Sequence, residues 1–167
     1  NHLQGFESGI KKRFAAAGIG PIASSVSIAQ VFCLCGPLDS LLSRRKQLLE
    51  IETLTVGPFQ ENCYLVHHPE RREIVVVDPG DEAERILESI NRLGGKVVEI
   101  WNTHGHFDHI NANKPVQEAT NAPISIHKIE KHWLQSPDDN LASFVGLPFI
   151  PSQAARTWEH GEEVEAL

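Results

Sequence analysis

The chain has 167 residues, 41% of them apolar and 22% charged, with a formal net charge of −7 at pH 7. That is material for one domain with a respectable core, and the composition is ordinary for a soluble globular protein. An acidic folded part disfavours phosphate backbones, so nucleic acid is not an expected partner.

The charge is unevenly placed. Residues 1–50 carry a net +3 and residues 51–167 a net −10, which argues for a leader or extension over 1–50 joined to an acidic domain over 51–167. Within the leader, Lys11-Lys12-Arg13 precedes an uncharged run from Phe14 to Leu38. That run is long enough to span a bilayer, but Gly18, Gly20, Pro21, Ser24, Ser25, Ser27 and Gln30 dilute it. A loosely packed or disordered extension is the favoured reading, a targeting segment or weak anchor the alternative, and no membrane association is expected of the domain. The chain has no methionine and opens on Asn1, so the expectation is of a processed or cut amino end. Cys33 and Cys35 are too close for Cys-x-x-Cys chemistry, and Cys63 makes the count odd. Cys63 sits in an apolar run and reads as a buried, inert thiol, favouring a reducing compartment and hence the cytoplasm.

From residue 51 onward the elements alternate. Ile51–Val56, Cys63–His67 and Ile74–Asp78 read as strands joined by polar turns, with His67 and His68 closing the second before Pro69. Asp81–Leu93 reads as an amphipathic helix, with Ile86, Leu87, Ile90 and Leu93 on one face, acids in its first turn, and Gly94 ending it. The turn pair Gly94-Gly95 introduces a short apolar strand, Lys96–Trp101. A helix follows over Val116–Thr120, starting near Pro115, then a strand at Ile124–His127 and a short helix at Ile129–Gln135. Hairpin strands followed by strand–helix units predict a mixed α/β (α+β) fold, the first part of a two-sheet sandwich flanked by helices. His127 and His132 read as surface or packing residues.

The chemistry concentrates in Thr103-His104-Gly105-His106-Phe107-Asp108-His109, directly after the Lys96–Trp101 strand. Three imidazoles and a carboxylate without cysteine suit a borderline divalent metal, and thiolate-free sites are more often catalytic than structural. On an extended segment His104 and His106 point the same way and can share one metal. Asp108 and His109, after a turn, address a second position nearby, and two metals about 3.5–4 Å apart make a hydrolytic site. Gly105 eases the turn between the histidines. Thr103 either bonds the loop backbone or is an ordinary strand residue. Asp78 ends a run of valines and must find partners. It either braces the histidine loop or caps the Pro79-Gly80 turn.

The segment Thr103–His109 resembles the signature of the metallo-β-lactamase superfamily, in particular its glyoxalase II-like (hydroxyacylglutathione hydrolase-like) branch. Val56–Val66 is similar to the first hairpin of that fold, and Val75–Gly80 to its strand ending in Asp-Pro-Gly. Lys131–Gln135 through Gly146–Phe149 is similar to the region that follows the motif. The resemblance implies a four-layer αββα sandwich, of which 51–167 would form the amino-terminal half. It implies His104, His106, Asp108 and His109 as metal ligands, and Asp78 and Thr103 as residues supporting them. It also implies further ligands, two histidines and a bridging aspartate, beyond Leu167. His160 does not match any of them. The expected cofactor is zinc, two ions per complete domain, with iron or manganese as alternatives.

The expected activity is hydrolysis of a small-molecule thioester or ester by a metal-bound hydroxide, with Asp108 also orienting the nucleophile and accepting its proton. S-lactoylglutathione is the substrate by analogy. A persulfide dioxygenase-like, mononuclear iron oxidoreductase of the same fold and a non-catalytic fragment lacking half of the site are the competing readings. Under the hydrolase reading, the 167-residue chain on its own is expected to bind metal poorly and to hydrolyse thioesters no faster than background. It is also expected to leave a sheet edge and an apolar face uncovered. The sequence assigns no oligomeric state.

Overall fold

The computed structural model describes residues 49–164, 166 and 167. The expected leader therefore lies outside the described residues except for Leu49 and Glu50, as do the Phe14–Leu38 run, Cys33 and Cys35. Among the described residues no helix is long and apolar enough to cross a membrane.

Six strands form one sheet in sequence order: β1 (Glu50–Val56), β2 (Glu61–His68), β3 (Glu73–Val77), β4 (Lys96–Trp101), β5 (Ile124–His127) and β6 (Arg156–Trp158). β1, β2 and β3 are antiparallel neighbours, while β3 through β6 run parallel. The parallel pairs need crossovers, and helices supply the first two. Helix α1 (Ala83–Leu93) links β3 to β4. The single turn α2 (Phe107–Ile110) and helix α3 (Asn113–Thr120) link β4 to β5. A 3-10 segment (Lys128–Leu134) and the turn α4 (Ala142–Val145) lie between β5 and β6.

Strand alternation sorts the side chains onto two faces. Leu54, Cys63, Leu65, Ile74, Val76, Ile100, Ile124 and Ile126 point to one face, where Ile86 and Ile90 of α1 and Val116 of α3 complete the core. The other face carries Val75 and Val77, both buried, with Tyr64, Val66, Trp101 and Trp158 partly exposed, and Trp101 meeting Trp158 edge-on at 5.2 Å. This is the face a second sheet covers in the expected sandwich.

Several boundaries differ from the sequence expectation. β1 opens at Glu50, inside the expected leader. α1 starts at Ala83 rather than Asp81, because Glu82 is left-handed (φ 51°) and the Asp81 carboxylate accepts its amide at 2.7 Å. Its C-cap is Gly94, left-handed at φ 67°, as the helix-ending glycine requires. α3 begins at Asn113, two residues before Pro115, which falls within the first turn where its missing N–H costs nothing. His68 is a buried strand residue whose Nδ1 accepts from the Arg71 amide, so it also closes the following turn. His127 caps the 3-10 segment, accepting from the Ile129 amide.

Cys63 is fully buried in the core, and burial, reinforced by the charge of Asp78, pushes its thiol well above the ordinary range. A thiol kept protonated and covered is a poor nucleophile. In the native protein the Cys63 peptide is expected to stay unlabelled by iodoacetamide at pH 8 and to label fully in denaturant. Rapid native labelling, read by peptide mass spectrometry, would contradict this packing.

Candidate metal centre

The site assembles where β3 and β4 end and β2 begins. β3 ends at Val77, one residue before the expected end, because Asp78 is left-handed (φ 50°), a conformation Asp tolerates better than most residues. Its backbone amide still pairs with Trp101, while its carboxylate turns under the loop after β4. There Oδ1 accepts the Thr103 amide at 2.7 Å, and Oδ2 accepts the Thr103 hydroxyl and faces His109 Nδ1 at 3.1 Å. Asp78 is 2% exposed, so these contacts account for a buried carboxylate. The Asp78 carboxylate thus contacts the loop after β4 and His109. The Thr103 hydroxyl bonds the Asp78 carboxylate rather than the loop backbone, and faces His104 Nδ1 at 3.0 Å.

The loop bends at Thr103-His104 instead of continuing as an extended strand. His104 and His106 converge all the same: His104 Nε2 lies 3.0 Å from His106 Nδ1, with ring centroids 4.6 Å apart. Gly105 serves space more than turning, because a Cβ there would sit 2.7 Å from Trp133 Cβ. Its amide donates to the buried Glu130 at 2.9 Å, and Trp133 stacks on His106 at 5.6 Å.

Asp108 and His109 belong to α2, a turn too short for sequence periodicity to reveal. The His109 ring lies 4.0 Å from that of His104, and its Nε2 lies 4.0 Å from Asp108 Oδ2. The loop thus brings all four motif residues to one mouth. His109 is buried, which by itself lowers its proton affinity. The hydrogen bond His109 donates to Asp78 and the charges of Asp78, Glu61 and Asp108 outweigh burial and hold His109 above the ordinary imidazole value. The same Asp78 contact directs Nε2 toward the mouth and raises the ring's basicity.

Close packing locks α2 in place. A Cβ on Gly80 would lie 1.7 Å from the Asp108 carbonyl oxygen, so only glycine permits this approach. Pro79 accepts the Ala112 amide at 2.9 Å, and Asn102 and Asn113 exchange amide hydrogen bonds in the core, Asn102 also reaching the His109 carbonyl.

Sequence reading missed Glu61, Glu130, Asn102 and Asn113. Glu61 was findable in part: antiparallel pairing of β2 with β3 sets the start of β2 beside the end of β3, where Tyr64 faces Val77. One ligand atom each from Glu61, Asp108 and His109 fall within 4.8 Å of one another, a grouping that can hold a metal ion. The donors are imidazole nitrogens and carboxylate oxygens without thiolate, and that set fits zinc, iron or manganese. His127, His132 and His160 lie elsewhere: His132 faces Asp139 at 3.7 Å on the surface, and His160 is exposed. Beside Asp108 opens a cleft of about 250 Å³, walled by Phe59, Phe107, Leu147 and Pro148 with Asp81 at its edge.

Comparison with known proteins gives the chain's relatives. The chain is 30% identical over 115 residues to the hydroxyacylglutathione hydrolase GloC of Haemophilus influenzae, covering 68% of this chain and 53% of that protein. It is 37% identical over 81 residues to the probable metallo-hydrolase YqgX of Bacillus subtilis, covering 48% of this chain and 37% of that one. Among solved structures, the BLEG-1 B3 metallo-beta-lactamase superposes with a TM-score of 0.66 at 29% identity, over 70% of this chain and 56% of that one. TTHA1623 in a di-iron-bound form superposes with a TM-score of 0.60 at 35% identity, over 68% of this chain and 56% of that one. The chain thus spans about half the length of such relatives. The family model of the metallo-beta-lactamase superfamily matches residues 56–166, and the chain belongs to that superfamily.

Proposed function

We propose that this chain supplies the His104/His106/Asp108/His109 half of the metal centre of a thioester or ester hydrolase, of the kind that acts on hydroxyacylglutathione. The observation that carries the reading is the convergence of those four side chains, of which Asp108 also lines an apolar-walled cleft. The hydroxyacylglutathione hydrolases among its relatives support the substrate class. His104 and His106 would hold one ion, and Asp108 and His109 a second, with zinc as the expected metal and iron the alternative suggested by the di-iron relative. When bound, such ions lower the pKa of water and polarise a carbonyl.

The chain's own residues then have distinct tasks. Asp78 fixes the His109 ring through Nδ1, and Thr103 ties the loop to Asp78. Glu130 holds the Gly105 amide, which limits movement of the two flanking histidines. Phe59, Phe107 and Leu147 offer an apolar wall for the acyl part of a substrate. Asp108 borders that cleft with its side chain 25% exposed, and is placed to orient the attacking water and take its proton.

Asp108→Asn in the full-length protein is expected to lower kcat for S-lactoylglutathione by about 100-fold or more, with a smaller change in KM. A variant retaining wild-type kcat would sink the role given to Asp108. One iron per chain together with absent thioesterase activity would favour the mononuclear iron oxidoreductase instead.

A further inference from the structure

We infer that Glu61 is a metal-binding residue of the Asp108/His109 position, an inference that rests on the metal-centre reading above. Three observations converge. Glu61 Oε2 lies 3.2 Å from His109 Nε2, nearer than Asp108 Oδ2 at 4.0 Å. Ligand atoms on a tetrahedral ion with bonds near 2.0–2.2 Å stand about 3.3–3.6 Å apart, so the Glu61–His109 pair already has close to that separation. The other carboxylate oxygen, Oε1, accepts the Asn62 amide at 2.8 Å, which fixes the group and leaves Oε2 facing the site. Finally, Asp78 occupies His109 Nδ1, so Nε2 is the ring atom that faces the two carboxylates, where a metal ion would replace its proton. One ligand atom from each of Glu61, Asp108 and His109 lies within 4.8 Å of the others, a spacing that a single cation can occupy in place of the His109 proton.

Chain topology explains why β2 can contribute. Glu61 opens β2 opposite Val56, and the antiparallel β2–β3 register carries it past the end of β3, over the Asp78 corner. The resulting ligand set draws on a strand start (Glu61) and a helical turn (Asp108, His109), so three protein groups reach this position from within residues 61–109. Its side chain is 28% exposed, so substituting it leaves the core intact.

The test is cobalt(II) titration of the full-length protein, following the visible d–d bands and the dissociation constant, in a His104→Ala/His106→Ala background that leaves the Asp108/His109 position to report. Glu61→Gln keeps the shape and the acceptor for Asn62 while removing the charge. It is expected to weaken cobalt binding tenfold or more and to shift the bands, and Glu61→Asp, which withdraws the oxygen by one methylene, is expected to move both in the same direction. Unchanged affinity and spectrum in both variants would overturn the inference while leaving the metal-centre reading in place. A parent protein, with all four motif residues intact, that takes up no cobalt would overturn both.

Discussion

Gly80→Ala is expected to be the most damaging small substitution in the described part of the molecule. The added methyl would lie 1.7 Å from the carbonyl oxygen of Asp108. The obstacle is backbone, so no side-chain rotation relieves it, and the β3 corner and α2 must move apart. That movement breaks the Ala112–Pro79 backbone hydrogen bond and drags Asp108 and His109 away from Asp78. A loss on the order of 3–5 kcal/mol is expected, at the upper end for one methyl group, because overpacking and lost hydrogen bonds add. Urea unfolding would read it directly. A midpoint within experimental error of wild type would mean that the corner and α2 do not approach as described.

Asp78 separates charge from backbone conformation. Asp78→Ala leaves the Thr103 amide and hydroxyl and the His109 ring without their buried acceptor, and puts alanine into a left-handed conformation. A destabilisation of about 3–5 kcal/mol is expected. Asp78→Asn tolerates the same φ and keeps one acceptor oxygen, so its stability should fall by only about 1–3 kcal/mol. It loses the carboxylate that orients His109, and metal affinity should drop about 10–100-fold even where the protein stays folded. Asp78→Asn binding metal as tightly as wild type would remove Asp78 from the site and return it to a turn-capping role.

The parts of this molecule that were legible in its sequence are those whose signal is local. The alternation of β1, the apolar runs of β2 and β3 bounded by polar turns, and the apolar stripe Ile86, Leu87, Ile90 and Leu93 of α1 are such signals. The histidine loop was legible because its ligand types crowd into seven residues. Short elements were not: α2 and α4 have four residues each and β6 three, too few for any period to register. β6 exists because β5 offers it an edge, with Ser125 beside Arg156 and His127 beside Trp158. Glu61 and Glu130 reach the site across 48 and 21 residues from His109, by strand register and by packing, and neither stands in a local pattern. Gly105 was read for backbone freedom, whereas the packed structure uses it to admit Trp133.

The central claim is that His104, His106, Asp108 and His109 form a metal centre. The measurement closest to it is metal content. Full-length protein would be loaded with zinc, dialysed against metal-free buffer and measured by plasma mass spectrometry beside a variant with all four residues changed to alanine. Two zinc ions retained per wild-type chain, and none by the folded variant, is the predicted result. Equal metal content in the two proteins would contradict it.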